Sequence, residues 1–191
     1  TASGGPLGNT LHGVLVQAGA AANLIGDTPA GDGNLIAYNG MAGVYVSSGS
    51  KNAIRHNSIS SNANLGIDLG AMGVTANDYG DGDSGANMLQ NFPLLRNPRQ
   101  SGFFTLIDWR EISTPFTTFT IEFFSSSACD PSTYGEGQRY LGQASSTTDA
   151  TGYTPVVTTA LPAVPTGYSI TATATDPNGN TSELAHCELV P

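Results

Sequence analysis

The sequence predicts an all-β protein in two parts, stacked coils of very short parallel strands followed by an antiparallel β-sandwich. Three observations point there. His12-Gly13-Val14-Leu15-Val16 recurs as Ala42-Gly43-Val44-Tyr45-Val46 and again as Leu65-Gly66-Ile67-Asp68-Leu69, and repeats of this size mean stacked units. From Phe103 onward, apolar and polar residues alternate with the period of a strand. Only 11% of residues are charged, while the chain holds 24 Gly and 11 Pro. Thr, Ser and Asn fill the polar positions, which suits strands and turns better than helices.

The coils come first. Val14 and Val44 are 30 residues apart, Val44 and Ile67 only 23. Most of the difference is one insert, the turn-forming string Gly26-Asp27-Thr28-Pro29-Ala30-Gly31-Asp32-Gly33. Elsewhere the spacing holds, with Ile36 to Val44 and Ile59 to Ile67 both 8 residues. Each coil therefore has three short strands. Val14, Val16, Val44, Val46, Ile67 and Leu69 line one interior stack; Ile25 and Ile54 line a second; Ile36 and Ile59 line a third. Asn39, Asn57 and Asn62 fall in the turns, where Asn tolerates a left-handed backbone and can bond along a ladder. An antiparallel sheet with Gly-rich hairpins is the competing arrangement, and the matched spacings of 8 disfavour it.

The second part reads as six or seven strands, near 103–109, 117–124, 138–145, 153–159, 167–175 and 181–189. Phe119, Ile121 and Phe123 face one way, and Thr118, Thr120 and Glu122 the other. Asp130-Pro131-Ser132, Asp149-Ala150-Thr151-Gly152 and Asp176-Pro177-Asn178-Gly179-Asn180 are the turns between them.

The run Asn52-Ala53-Ile54-Arg55-His56-Asn57-Ser58-Ile59-Ser60-Ser61-Asn62, followed by Gly66-Ile67-Asp68-Leu69, resembles bacterial right-handed parallel β-helix repeat proteins of the pectate-lyase-like superfamily. The resemblance covers about residues 9–70. It implies a short right-handed parallel β-helix of two to three coils. It says little of activity, because that superfamily hosts lyases, hydrolases, adhesins and inert stalks. Thr173 to Ser182 is similar to the final hairpin of bacterial immunoglobulin-like surface modules. Cys129-Asp130-Pro131, Gly135-Glu136-Gly137-Gln138 and Cys187 resemble the sandwich that often follows such β-helices. The expected organisation is β-helix coils over 1–76, an acidic calcium-binding-type connector over 77–100, and an immunoglobulin-like antiparallel β-sandwich over 101–191.

Acidic residues outnumber basic ones 15 to 6, and Lys51 is the only lysine. A nucleic acid has almost nothing to grip, and no apolar run is long enough to insert in a membrane. A polysaccharide or cell-surface glycan remains an expected partner. Cys129 and Cys187 stand 58 residues apart with no His cluster beside them, so zinc is not expected. The composition looks extracellular and favours a disulfide between them; two buried free thiols are the alternative. No signal peptide is visible, which reads as a mature segment or a piece of a longer protein. About three repeats are needed to bury a continuous coil core, and the first coil presents an open strand edge. Either further chain upstream or self-association would cover that end.

The sharpest local signal is the loop from Asn77 to Asn87. Asp81, Asp83, Gly85 and Asn87 stand at alternate positions, and Asp78 adds another carboxylate. Calcium takes roughly six to eight oxygens, which such a loop can wrap around one ion. Clustered carboxylates without a base repel one another, a problem an ion solves. The alternative is a solvated acidic turn. Asp176-x-Asn178-x-Asn180 has similar spacing but reads as an ordinary hairpin turn.

Catalytic readings are weaker. The outward positions of the best-defined stack are Leu15, Tyr45 and Asp68, one carboxylate where glycoside hydrolysis needs two. Lys51 and Arg55, the only bases in the coils, sit at or beside a turn. His12, His56 and His186 share no motif, and Ser125-Ser126-Ser127 has no nucleophile-elbow context. Tyr45, Tyr134, Tyr140 and Trp109 could stack on sugars but read first as core or rim. No catalytic residue is assigned. The expectation is a secreted or bacterial cell-surface module that is structural, adhesive or glycan-contacting. The alternatives are a C-terminal fragment of a polysaccharide lyase or glycoside hydrolase, or a filament subunit stacking through its open coil end.

Overall fold

The computed structural model describes residues 6–26 and 33–191. The insert read in the first coil falls, for residues 27–32, outside the described residues. Seven three-residue strands come first: β1 (Val14–Val16), β2 (Leu24–Gly26), β3 (Leu35–Ala37), β4 (Val44–Val46), β5 (Ala53–Arg55), β6 (Ser58–Ser60) and β7 (Ile67–Leu69). They pair only in parallel and only with strands from other turns of the chain, in the orders β1-β4-β7, β2-β5 and β3-β6. Val14 lies beside Val44 and Val44 beside Ile67; Ile25 pairs with Ile54, and Ile36 with Ile59. These are the stacks the spacing predicts. Hairpin pairing is not seen among these strands.

A glycine precedes each strand of the first stack because the turns approach too closely for a side chain. A Cβ on Gly13 would stand 2.7 Å from the Gly43 carbonyl oxygen, and one on Gly43 2.6 Å from that of Gly66. The corners are held by asparagine ladders. Asn39 donates from its backbone N–H (3.2 Å) and its Nδ2 (2.7 Å) to Asn62 Oδ1. Asn23 does the same to Asn52, and Asn34 to Asn57. Such bonds satisfy backbone and side-chain groups that corners would otherwise leave buried and unpaired.

Seven antiparallel strands follow: β8 (Leu94–Ser101), β9 (Phe104–Arg110), β10 (Thr118–Ser126), β11 (Arg139–Thr147), β12 (Val157–Pro162), β13 (Ser169–Thr175) and β14 (Glu188–Leu189). One sheet runs β11-β10-β13-β14, the other β12-β9-β8. Both contribute to one apolar core built around Trp109, Ile107, Phe119, Ile121, Phe123 and Ile170. Three details differ from the sequence reading. β8 lies within the segment expected to be connector. Its Pro98 and the irregular register between Arg96 and Arg99 hide an edge strand, where, as at a bulge, a proline without an N–H is tolerated. The strand expected over 181–189 is mostly irregular, though Ser182 and Ala185 still donate to β13 carbonyls. Glu122, on the face opposite Phe119, Ile121 and Phe123, is fully buried in a way the alternation alone does not foretell.

The third difference organises the molecule. Every residue of β13 is buried, and β10 is buried almost throughout. The second face of this sheet is covered by the end of the parallel stack. Phe124 and Leu184 join Val44, Ile54, Ile59 and Ile67 in a single apolar cluster. Around it, polar side chains of the antiparallel part accept the backbone N–H groups of the last turn. Asn180 Oδ1 accepts from Lys51 (2.6 Å), Thr181 Oγ1 from Ile54 (3.0 Å) and Glu122 Oε2 from His56 (3.0 Å). Glu136 accepts from Ser61 and Asn62, and Glu183 Oε1 from Leu69 (3.0 Å). The open edge of the stack is thereby closed on this side. At the other end, β1, β2 and β3 each have one neighbour among the described residues.

Candidate metal centre

After β7 the chain leaves the stack and forms the acidic loop. Asn91 shapes it: its Oδ1 accepts from the Asp78 N–H (3.1 Å), and its Nδ2 donates to the carbonyls of Asp78 and Ile112 (both 2.8 Å). Asp81 turns through a left-handed backbone, φ 53°, a conformation Asp adopts more readily than most residues. Its Oδ1 accepts from Asn91 N–H (3.1 Å) and its Oδ2 from Ser113 Oγ (2.6 Å). The loop is thus pinned to the segment that follows β9.

The result is a triad. Asp78, Asp81 and Asp83 each offer a carboxylate oxygen, and the three atoms lie within 4.8 Å of one another. That spacing could hold a metal ion. Asp78 Oδ1 and Asp83 Oδ1 are buried and have no hydrogen-bond partner. Burial holds the Asp81 carboxyl up at about 6, against the Ser113 and Asn91 hydrogen bonds, with the Asp78 and Asp83 charges adding to the rise. Asp83 is raised too, by burial and then by Asp78. Behind the triad lies Glu111, fully buried, with Oε2 unpartnered. Burial first, and the Asp81 charge second, hold its carboxyl well above the usual range. A cation here would relieve a repulsion that the chain itself leaves standing.

Of the five expected ligands, the structure brings together these three aspartates. Gly85 opens a 3-10 turn, Ala86–Leu89, and its carbonyl accepts from the Met88 N–H (3.1 Å). Asn87 points into the parallel stack. Its Oδ1 accepts from Asn52 N–H (3.0 Å), and its Nδ2 donates to the carbonyls of Asn52 (2.7 Å) and Thr181 (3.0 Å). Both ends of its carboxamide are engaged there. Asn87 therefore continues the Asn23–Asn52 ladder by one step from outside the stack.

The cysteines are joined, Cys129 to Cys187, with Cα atoms 6.0 Å apart. Asp176, Asn178 and Asn180 form a hairpin turn, in which Asp176 Oδ1 accepts from the N–H groups of Asn178 and Asn180. Asp68 faces outward from its strand, as expected, yet it is covered and only 1% exposed. His56 lies against Glu122 and the edge of the Tyr140 ring. The residues that the sequence reading missed are the buried glutamates. Glu122 is flanked by Ile121 and Phe123 in an otherwise uncharged strand, the one available hint that its face is covered.

Compared with known proteins, the chain matches no family model, and no curated protein matches it significantly. A disulfide, and the lack among the described residues of any helix long and apolar enough to cross a membrane, are compatible with a secreted protein.

Proposed function

We propose that this chain is a non-catalytic, extracellular module of a bacterial surface protein. In this reading residues 1–76 are the end of a right-handed parallel β-helix, and residues 101–191 an immunoglobulin-like sandwich that closes it. Calcium held by Asp78, Asp81 and Asp83 fixes the connector between them. One observation carries the reading: the polar groups buried where the two halves of the chain meet are engaged in structure. Glu122, Glu136, Glu183 and Asn87 all accept backbone N–H groups of the last turn. The outward row of the first stack holds Asp68 in line with Leu15 and Tyr45.

A second reading draws on β1, β2 and β3, which have one neighbour each among the described residues. In the ladders each asparagine donates toward the next turn, so Asn9, Asn23 and Asn34 would accept from a turn before them. Leu11, Leu15, Leu24 and Leu35 are exposed beside that edge. Another copy could pair there. The opposite end is closed by side chains, so contact between copies through open ends would stop at a dimer instead of growing a filament. The test is incubation of the full chain with a panel of neutral and acidic polysaccharides. Retention on one of them without new reducing ends or unsaturated product supports the module. Release of product overturns it. Dimers or filaments in solution, observed by light scattering, decide between the assembly forms.

A further inference from the structure

We propose that the pocket over Asp68 binds a primary ammonium carried on an aliphatic stem, the chemistry of a lysine side chain on a partner protein. The pocket has a volume of about 380 Å³ and is framed by the turn before β7, the segment after it, and the loop 130–132. Asp68 is one of its lining residues. Asp68 Oδ2 accepts from Gly73 N–H at 3.3 Å, while Oδ1 has no partner although the residue is 1% exposed. A buried carboxylate oxygen left without a donor is costly unless something supplies one.

The walls select what that donor can be. Leu65, Met72, Val74 and Pro131 are apolar, Asp130 adds a second carboxylate, and neither lysine nor arginine lines the pocket. A chain of net charge −9 offers such a site to cations. A divalent ion wants about six oxygens, and an apolar wall cannot supply them. A sugar wants an aromatic platform, and none lines the pocket. Tyr45, beside Asp68 in the stack, is stacked on His12 at 4.6 Å and donates its hydroxyl to the Gly70 carbonyl. An alkyl stem against Leu65, Met72 and Val74, with its ammonium on Asp68, satisfies both halves of the lining.

The wall is also fixed in advance. Asp130 follows the disulfide Cys129–Cys187, its Oδ1 accepts from Ser132 N–H (2.8 Å), and Cys187 N–H donates to the Thr133 carbonyl (2.9 Å). A preformed wall lowers the ordering cost of binding. The titratable groups near Asp68 are His12 and Glu183, and Asp130 lines the same pocket. Burial raises the Asp68 carboxyl, with the Gly73 N–H and His12 opposing, so binding weakens as the solution is acidified. None of this depends on the surface-module reading or on calcium.

The test is a nuclear magnetic resonance titration of the full chain with Nα-acetyl-lysine amide, its norleucine counterpart and glucosamine. The lysine compound is expected to shift the amides of 72–74 and 130–132. The norleucine compound should bind more weakly by about tenfold, and Asp68→Asn should weaken the lysine compound by a similar factor. Should Asp68→Asn fail to fold, Val74→Lys, at the exposed rim, must still block the site, by bulk against the stem and by repulsion of the ammonium. Equal binding of norleucine, tighter binding of glucosamine, an unaffected variant, or no shifts at all would each overturn the assignment.

Discussion

Glu136 stands where the next asparagine of a ladder would stand. Asn62 donates its backbone N–H (2.9 Å) and its Nδ2 (2.8 Å) to Glu136 Oε1, just as Asn39 donates both to Asn62 Oδ1. A glutamate from the antiparallel part thereby imitates one more turn of the stack and then ends it. Burial raises its carboxyl, against the Asn62 and Ser61 donors. Replacing it with alanine leaves two or more buried donors unpaired, each costing about 1–3 kcal/mol. Glu136→Ala is expected to lower stability by at least about 2 kcal/mol in urea unfolding, and Glu136→Gln by less.

The glycines of the first stack are required by contact. A Cβ on Gly43 would also lie 2.7 Å from Ile59 Cγ2. Overpacking of this kind costs about 1–3 kcal/mol or more. Gly43→Ala should melt well below the wild type, whereas alanine at Gly102, where nothing lies within 4 Å but φ is +60°, should cost only its backbone strain.

Calcium should stabilise the chain through the triad. At about 100 times its dissociation constant a ligand adds about 2.7 kcal/mol. For a chain of this size that is a rise of roughly 5–10 °C in Tm. Asp81→Asn should abolish the rise in a calorimetric melt with and without a chelator. It should leave the chelated protein no less stable, because a repelling charge is gone.

The pH dependence of the chelated protein follows from Asp81, held at about 6, and Glu183, held at about 7 mainly by burial. Both carboxyls bind protons more tightly folded than unfolded. Their contribution is therefore fully present below the ordinary carboxylate range and is lost as pH rises through about 6 to 7. The chelated chain should unfold at lower urea at pH 8 than at pH 5. Calcium should narrow that gap, and its affinity should fall as pH drops below about 6.

The disulfide closes a loop of 58 residues. In the chain-entropy model this is worth about 4 kcal/mol. Replacing both cysteines with serine should lower the urea midpoint accordingly and loosen the loop around Asp130.

Much of the stack was legible because its determinants are local in spacing. Ile36 to Val44 and Ile59 to Ile67 share one interval, and the registers follow from it. The triad was legible as a pair of carboxylates at alternate positions, Asp81 and Asp83, with Asp78 close before them. Asn87 was assigned with it on the same spacing, yet its neighbours are Asn52 and Thr181, which sequence distance conceals. Glu136 and Glu183 were unreadable for the same reason, and Glu122 offered only the hint of its apolar neighbours Ile121 and Phe123. Each is an acidic residue in an ordinary strand or turn context. Each becomes a cap only because the two halves of the chain meet there. β8 was lost because Pro98 is a turn signal everywhere except on an edge or at a bulge.

Side chains of the antiparallel half close the stack, and amide hydrogen exchange tests that directly. The N–H groups of Ile54, His56, Asn62 and Leu69 should exchange as slowly as those of Ile121 and Ala172 in the antiparallel core. Glu136→Ala should release Ser61 and Asn62 before the others. If these amides exchange in the wild type as fast as those of an exposed edge strand, the two halves do not join as described.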